Sequence, residues 1–317
     1  MNLRIGSRGS QLALWQANHI AALLRAQHHT VEIQIIKTTG DRLQEVTFAQ
    51  VGSKGMFTKE IEEALAVGAI DLAVHSLKDL PTELPEPFAL AATPPRVDPR
   101  DVLVSVNYPN LAALPPGARI GTSSQRRRAQ LKALRPDLEA VEFRGNVDTR
   151  LRKLAEGQVD AILLAAAGLD RLEKTDWVRE RLDPAAFCPA AGQGALGIET
   201  RKDDPTTIAA LAFLDDAHTR FAVTAERAAL AALGGGCQVP IGVHCRLYAA
   251  SKDGMLNGLW DEIFAVVAAP ETGQAVRILQ RAPRAGSDPI TFGQLAARKL
   301  IEAGAGPLLA ALPQASS

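Results

Sequence analysis

The sequence predicts an α/β protein with two similar lobes, followed by a smaller α+β domain. Strand–turn–helix units recur along the chain, the units before residue 95 match those after residue 99, and the pattern changes from residue 217 onward. A chain of 317 residues is long enough for two or three domains, each with its own core. We predict a first lobe at 1–95 plus about 195–212, a second lobe at 99–190 and a C-terminal domain at 217–317.

The first lobe opens with a short strand at 3–5 and a helix for which Ser10 is the predicted N-cap. The elements that follow are a strand at 31–36, a helix at 57–67 that ends at Gly68 and a strand at 70–74. That last strand delivers the run 75–81 at its carboxyl end. The polar segment at 38–55 is long for a connection, and we predict that it forms a lid that brings Lys54 to the site.

The second lobe repeats this pattern. Its predicted elements are strands at 102–106, 119–120, 141–143 and 161–165, and helices that start near Arg126 and at Val147. The run 5–11 parallels 120–125, and 70–73 matches 159–162. Two such units imply largely parallel sheets that bind ligands at the carboxyl ends of their strands, in a cleft between the lobes. Chance similarity between ordinary βα units is the alternative.

Cys237 lies in a glycine-flanked loop of the predicted C-terminal domain. A helix at 225–233 precedes it, and strands at 243–248 and 259–268, a turn at 253–254 and a helix at 292–303 follow. Gly234 suits the position after a helix end, and the glycines at 234–236 remove side-chain bulk around the thiol. This pattern predicts a thiol displayed to a large ligand, whereas the alternative is a small hydrophobe that follows a helix cap. The segment around Ile198 is predicted to return to the first lobe.

The composition argues against several classes of protein. The chain has 35 Lys and Arg against 35 Asp and Glu, so its formal net charge is zero, and its aromatic content is 4%. These values disfavour a nucleic-acid binder and a membrane-surface protein. The N-terminus has no apolar signal segment, and no run is long and apolar enough to span a bilayer. The three cysteines suit a reducing compartment, and no second His/Cys pair supports His244-Cys245 as a metal site. We expect a cytoplasmic, metal-free protein.

Cationic residues recur at the predicted strand ends and helix starts. A helix start offers free N–H groups and positive potential, and an arginine can donate two parallel hydrogen bonds to a carboxylate. The pattern predicts a ligand with several carboxylates; for the run 126–128 alone, a solvated helix face is the alternative. The residues concerned are Arg8, Lys54, Lys78, Arg126, Arg127, Arg144 and Arg150.

Asp79 is an acidic residue among these cations. A carboxylate at a strand end can stabilise a positive charge that develops on a substrate. The alternative is a structural role, either as a salt bridge with Lys78 or as a cap before Pro81.

Taken together, these motifs resemble the porphobilinogen deaminase (hydroxymethylbilane synthase) family along nearly the whole chain. The family usually has leucine where this chain has Gln125, and Arg128 is a further variation, but both leave the arginine pair in place. The matching blocks are Ile5-Gly6-Ser7-Arg8-Gly9-Ser10, Leu12-Ala13-Leu14-Trp15-Gln16, Val74-His75-Ser76-Leu77-Lys78-Asp79-Leu80-Pro81, Gly121-Thr122-Ser123-Ser124, Arg126-Arg127, Arg144-Gly145-Asn146-Val147, Ala166-Ala167-Gly168-Leu169 with Arg171, and Gly235-Gly236-Cys237-Gln238-Val239-Pro240-Ile241-Gly242.

The resemblance implies three domains: two lobes of the periplasmic-binding-protein type and a small α+β C-terminal domain. It implies a transferase that condenses four porphobilinogen molecules head to tail, with loss of ammonia, on a dipyrromethane cofactor, and releases hydroxymethylbilane by hydrolysis. Each pyrrole bears an acetate and a propionate. Loss of ammonia leaves an electrophilic azafulvene, which the free α-carbon of the growing chain attacks. A monomer without nucleic-acid, membrane or metal partners is expected.

The resemblance also implies roles for individual residues. Cys237 is expected to hold the cofactor through a thioether bond, and Asp79 is expected to be the catalytic carboxylate. Further cofactor-binding residues are expected to be Ser76, Lys78, Thr122, Ser123, Ser124, Arg126, Arg127, Arg144 and Gly145. Substrate-binding residues are expected to be Arg8, Ser10, Gln16, Lys54, Phe57, Arg144, Arg150 and Arg171.

Two other classes of protein share some of these features. A non-enzymatic two-lobed receptor for a polycarboxylate would have the same lobes, but it would need neither a displayed thiol nor Asp79. A nucleic-acid protein would use the arginines, but this chain lacks the aromatic residues and the net positive charge that such a protein needs.

Overall fold

The computed structural model describes residues 1–39, 58–235, 239–252 and 255–311, with 249–252 and 255–258 described by their backbone alone. Its strands form three sheets. In chain order the strands are β1 (Asn2–Ser7), β2 (Thr30–Ile35), β3 (Leu72–Ser76), β4 (Phe88–Ala92), β5 (Asp101–Ser105), β6 (Arg119–Gly121), β7 (Glu139–Val141), β8 (Ala161–Ala165), β9 (Val178–Arg181), β10 (Leu196–Arg201), β11 (Ile241–Lys252), β12 (Met255–Ala268) and β13 (Ala275–Pro283).

Helices cover the sheets. They are α1 (Gln11–Ala26), α2 (Lys59–Ala66), α3 (Gln125–Leu134), α4 (Val147–Ala155), α5 (Ala166–Arg171), α6 (Pro205–Leu211), α7 (Ala217–Ala232), α8 (Pro289–Leu300) and α9 (Gly306–Ala310). Polar side chains cap several of their first turns: Ser10 Oγ accepts from the Ala13 N–H at the start of α1, and Asn146 Oδ1 accepts from the Thr149 N–H at the start of α4. Within the described ranges no helix is both long and apolar enough to cross a bilayer.

The two lobes have the same sheet topology. The first sheet has the strand order β2-β1-β3-β10-β4, and the second has the equivalent order β7-β6-β8-β5-β9. Even single contacts recur, since the Asp71 carboxylate accepts from the Arg4 N–H at 2.8 Å and the Asp160 carboxylate from the Arg119 N–H at 2.7 Å. The predicted repeat is therefore confirmed, and the alternative of chance similarity is wrong.

The expectation of largely parallel sheets is only half right. β1 pairs in parallel with β2 and β3, but β10 runs antiparallel to both β3 and β4. The second sheet shows the same division. The reason is the path of the chain: β10 arrives from the second lobe and enters where β3 ends, so Leu196 lies opposite Ser76. β5 enters its sheet in the same way, with Asp101 opposite Ala165.

The C-terminal part is an antiparallel sheet, β11-β12-β13, with α7 and α8 packed on one face. Its other face contacts the second lobe, where Phe264 and Val266 pack around Cys188. Helix α7 also touches the first lobe, because Val223 packs against Leu77 and Leu80. The predicted α/β fold with two lobes and a small α+β C-terminal part is confirmed.

Several helices and strands begin or end at residues other than those predicted. The helix predicted at 225–233 already begins at Ala217, where the Asp216 side chain caps it. The strand predicted at 141–143 ends at Val141, and the carbonyl of Phe143 instead accepts a hydrogen bond from the Ser123 hydroxyl. The strand predicted at 70–74 covers Leu72–Ser76.

Candidate active site

A buried carboxylate stands at the entry of β5, between the lobes. Asp101 is 0% exposed, and its oxygens accept from Arg126 Nη1 at 2.6 Å and from Arg127 Nη2 at 2.8 Å. Burial alone would raise the pKa of Asp101, but the two guanidinium charges outweigh burial and hold the pKa well below its usual range. Asp101 is therefore an anion that fixes the arginine pair in place.

Neither arginine of this pair lies on a solvated helix face, so that alternative is wrong for them. Arg126 also donates to the Cys188 carbonyl at 2.7 Å, and Arg127 donates to the Leu163 carbonyl at 3.0 Å. Both side chains lie beneath the start of α3, at the carboxyl end of β8. Two cations against one carboxylate leave this cluster with a positive charge.

Lys78 and Asp79 follow β3 in a 3₁₀ turn at Leu77–Asp79. Lys78 Nζ donates to Gln193 Oε1 at 3.4 Å. Burial lowers the pKa of Lys78 to about 8, and the charges of Arg126 and Arg127 act in the same direction, whereas Asp79 and Asp101 oppose them. A lysine of such pKa is still largely charged at neutral pH.

The Asp79 side chain is exposed. Within the described part of the chain its carboxylate takes no hydrogen bond and forms no ion pair, so the structure does not support a structural salt bridge with Lys78. The carboxylate is thus open to a substrate at the carboxyl end of β3.

The hydroxyl groups before α3 build the loop that starts this helix. Ser124 Oγ accepts from the Arg127 N–H at 3.4 Å, Ser123 donates to the Phe143 carbonyl at 2.8 Å, and Thr122 Oγ1 accepts from the Ser124 N–H at 3.2 Å. Their contacts with the backbone fix the direction of the helix start, which carries the arginine pair.

A second group of cations starts at the turn before α4. Arg144 Nε donates to Glu142 at 2.7 Å, and Gly145 has a φ of 121°, which a side chain would strain. Burial lowers the pKa of Arg150 to about 10, and the nearby charges of Arg127 and Arg144 add to this effect. Among the described residues, no group accepts a hydrogen bond from the buried Arg150 Nε.

Arg171 joins the lobes from the end of α5. It is 7% exposed, its Nη2 donates to the Gly194 carbonyl at 2.9 Å, and its guanidinium lies 5.8 Å from the centre of the Trp15 ring on α1. Burial lowers its pKa to about 10, and its Nε has no hydrogen-bond partner in the described chain.

On the first-lobe side, Gln16 of α1 donates to Ser76 Oγ at 2.7 Å and so ties this helix to the end of β3. Ser10 caps the same helix, and Arg8 lies in the half-buried turn before it. Of these three predicted substrate residues, Gln16 contacts the end of β3, and Ser10 and Arg8 lie at the start of the same helix.

Some predicted site residues lie outside the described residues: Lys54, Phe57, Cys237 and most of the predicted lid. Gly234, with a φ of 68°, ends α7 two residues before the undescribed run 236–238, as the sequence predicts. The other two cysteines, Cys188 and Cys245, are each 2% exposed, and burial raises the pKa of both thiols. Both are poor nucleophiles for a covalent ligand.

Two family models match almost the whole chain. The model described as "Porphobilinogen deaminase, dipyromethane cofactor binding domain" matches residues 3–209, and the model described as "Porphobilinogen deaminase, C-terminal domain" matches residues 220–302. The chain belongs to the porphobilinogen deaminase family. The predicted family membership is confirmed.

Individual relatives agree with this membership. The porphobilinogen deaminase of Trichlorobacter lovleyi is 50% identical over 309 residues, which cover 97% of this chain and 95% of the relative. That of Roseiflexus sp. is 49% identical over 310 residues, covering 97% and 98% of the two chains. Among solved structures, the periplasmic VFT2 domain of Bordetella pertussis BvgS superposes with a TM-score of 0.41 and 14% identity over 66% of this chain and 85% of that domain. This last likeness carries no argument about function.

The protein is accordingly a porphobilinogen deaminase family transferase of tetrapyrrole biosynthesis, with porphobilinogen as substrate and dipyrromethane as cofactor. The non-enzymatic receptor is not favoured.

The described residues fit a cofactor that carries several carboxylates. The Asp101 cluster has excess positive charge, and Arg150 and Arg171 each keep a buried Nε–H without an acceptor among the described residues. A buried donor without a partner is costly, and a carboxylate is the acceptor that suits a guanidinium best.

Sequence reasoning missed Asp101 and Gln193. Asp101 directly precedes the apolar run 102–104 of a buried strand, and a charge in that position needs a cationic partner. That signal was available in the sequence. The sequence gives no comparable signal for Gln193, because its partners Lys78 and Asp101 are far away along the chain.

Proposed function

We propose that Cys237 carries the dipyrromethane through a thioether bond, that Asp79 is the catalytic carboxylate and that the cleft cations bind pyrrole carboxylates. The observation that supports this most is the set of buried cations at the carboxyl ends of the strands, which outnumber the carboxylates beside them. Each pyrrole brings an acetate and a propionate, so a growing chain needs several such cations.

The cofactor, when bound, supplies the primer and its nucleophilic pyrrole α-carbon. The protein's part is to hold both partners by their carboxylates while the reacting carbons meet. We propose that Lys78 and the pair Arg126 and Arg127 hold the primer. The other cofactor-binding residues are proposed to be Ser76, Thr122, Ser123, Ser124, Arg144 and Gly145. Arg8, Ser10, Gln16, Lys54, Phe57, Arg144, Arg150 and Arg171 are proposed for the incoming pyrrole and the growing chain.

Asp79 is proposed to stabilise the positive charge that develops on the reacting pyrrole. When ammonia leaves porphobilinogen, positive charge develops on the pyrrole, and an exposed carboxylate at the end of β3 can stabilise it through the pyrrole N–H. After four additions, hydrolysis releases hydroxymethylbilane.

The proposal includes the organisation of the molecule. We propose three domains, at 1–95 plus about 195–212, 99–190 and 217–317; each range contains all strands of one sheet. We also propose a metal-free monomer in the cytoplasm, which suits three cysteines of which two are buried and free.

Intact-protein mass spectrometry tests the attachment site. The purified protein is expected to carry an added mass of two pyrrole units, and peptide mapping is expected to place it on Cys237. Cys237→Ser should remove both the adduct and the activity, whereas Cys245→Ser, which changes a buried thiol, should keep both. An active protein with an unmodified Cys237, or an adduct on Cys188 or Cys245, contradicts the assignment.

The cations are expected to act at different stages of chain growth. Arg150 neighbours the Asp101 cluster, so Arg150→Leu should stall early additions, whereas Arg171→Leu should stall later ones. A charged hydrogen bond contributes about 1.5–3 kcal/mol, so its loss should change the population of a trapped intermediate by roughly tenfold or more. Arg127 is less suitable for this test, because it is bound to the buried Asp101 and its loss would also disturb the fold.

The measurement is the number of pyrroles trapped on the enzyme after a limited dose of substrate, read from the intact mass. Arg152→Leu is the matched control on the same helix, because Arg152 is an exposed partner of Glu156. If Arg150→Leu and Arg171→Leu trap the same distribution of pyrrole numbers, the cations do not act at different stages of chain growth.

A further inference from the structure

Gln193 lies where the two lobes meet, and its amide is fully engaged. The side chain is 1% exposed, its Nε2 donates to the Pro99 carbonyl at 2.7 Å and to Asp101 Oδ1 at 3.0 Å, and its Oε1 accepts from Lys78 Nζ at 3.4 Å. Pro99 and Asp101 belong to the chain that enters the second lobe, and Lys78 belongs to the first. This one amide therefore bridges the lobes.

The orientation of the amide is fixed by charge. A flipped amide would turn its NH₂ group towards the Lys78 ammonium and its oxygen towards the Asp101 carboxylate, and both contacts would be repulsive. The observed orientation offers an acceptor to the cation and a donor to the anion. The flipped amide would satisfy neither of these two partners.

The backbone around Gln193 is held equally tightly. Arg96 Nε donates to the Gln193 carbonyl at 2.8 Å, and the Gly192 N–H donates to the buried Glu226 at 2.7 Å. Gly192 and Gly194 have φ values of 73° and 87°, and a Cβ at Gly194 would lie 2.6 Å from the Val97 carbonyl oxygen. These contacts hold the backbone of 192–194 in one conformation at the junction of the lobes.

We propose that Gln193 is a positioning residue for the reaction: it holds the Lys78 ammonium in the cleft and couples it to Asp101 and the arginine pair. The two walls of the site then keep one charge arrangement while the substrate chain grows. This inference rests on the proposed role of Lys78 in binding carboxylates.

The coupling has a consequence for the titration of Lys78. Among the residues that the structure describes, the charged groups that act on its amine are Asp79 on the same turn, Asp101 at the entry of β5, and Arg126 and Arg127 on α3. Among them Gln193 supplies a neutral acceptor, which favours the ammonium form. Removal of that acceptor should lower the pH at which Lys78 loses its proton, and a carboxylate in its place should raise it.

The test uses the cofactor-loaded enzyme with Gln193→Met, which keeps the length of the side chain, and Gln193→Glu, which keeps its shape. Lys78 titration is measured by competitive acetylation over a range of pH, followed by mass spectrometry. For Gln193→Met we expect a lower midpoint and a KM for porphobilinogen that rises about tenfold near neutral pH, with a smaller change in kcat. For Gln193→Glu we expect a higher midpoint.

Gln130→Met is the matched control. Gln130 is also a fully buried glutamine, but it binds the backbone of Cys188 and makes no contact with Lys78. This variant should lose thermal stability without a shift in the Lys78 midpoint. An unchanged midpoint in both Gln193 variants, or an equal shift in Gln130→Met, would reduce Gln193 to a structural residue.

A further variant separates this inference from the proposed function. If Lys78→Met leaves KM unchanged, the role of Lys78 in carboxylate binding is wrong, whatever the titration shows. If Lys78→Met raises KM but the Gln193 variants leave the Lys78 titration untouched, the coupling is wrong and the proposed function stands.

Discussion

Asp79→Asn is expected to lower kcat by about a hundredfold or more while the protein stays folded. The substitution keeps the shape of the side chain and removes its charge, so it deletes only the stabilisation of positive charge on the reacting pyrrole. Folding should not suffer, because the Asp79 side chain is exposed and makes no ion pair within the described chain. KM should change less than kcat, since the interaction strengthens as charge develops.

The measurement is steady-state turnover together with thermal unfolding and the intact mass, which shows whether the cofactor is loaded. Asp176→Asn is the matched control, because Asp176 is also an exposed aspartate in a 3₁₀ turn, at Thr175–Trp177. It should turn over like the parent protein. Near-normal turnover of cofactor-loaded Asp79→Asn would leave Asp79 without a catalytic role.

Asp101→Asn is expected to destabilise the fold by about 3–5 kcal/mol, because it leaves two buried guanidinium groups without their counter-charge. Asp101 lies at 0% exposure and binds Arg126, Arg127 and Gln193, so no solvent can replace it. The arginine pair should lose its fixed position, and cofactor loading should fall together with stability.

The pH dependence of this effect has a definite sign. The folded pKa of Asp101 is depressed, so its contribution to stability is fully present above the unfolded value of about 3.9 and is lost as pH falls through the folded value. The difference in free energy of unfolding between the parent protein and Asp101→Asn is measured by urea unfolding. It should be the same at neutral pH and near pH 5, and it should become smaller only in strong acid.

Asp137→Asn is the control for the loss of an aspartate beside an arginine. Asp137 accepts from Arg135 at 2.7 Å, but this pair lies at the surface, where an ion pair contributes little. A destabilisation by Asp101→Asn no larger than that by Asp137→Asn would show that Asp101 does not hold the arginine pair.

The sequence was sufficient for the repeat and for most of the elements around the site. The strands that carry Arg4 and Arg119 have β-branched or aliphatic neighbours and a following glycine turn, and their partners Asp71 and Asp160 occupy matching places. Such local patterns depend on near neighbours in the chain. The same holds for Gly234, where the end of a helix and its glycine are adjacent.

Contacts between distant segments were beyond such reasoning. Arg126 and Arg127 are predicted as ligand-binding cations because their helix start is visible in the sequence. Their partner Asp101 lies 25 and 26 residues earlier, and only the folded sheet brings it beneath the helix. The edge strands β4 and β9 were missed for a related reason: FALAA and VRER lack the alternation of a half-buried strand, and pairing within the sheet decides their conformation.

The insertion of β10 between β3 and β4 of the first sheet determines which lobe can fold first during synthesis of the chain. All strands of the second lobe lie between residues 101 and 181, so that lobe can form as soon as this stretch has left the ribosome. The first lobe lacks an inner strand until residues 196–201 emerge, and β3 and β4 have no partner between them until then. The N-terminal lobe is therefore the later of the two to close, and its open sheet edge is the part of the nascent chain most exposed to misassembly.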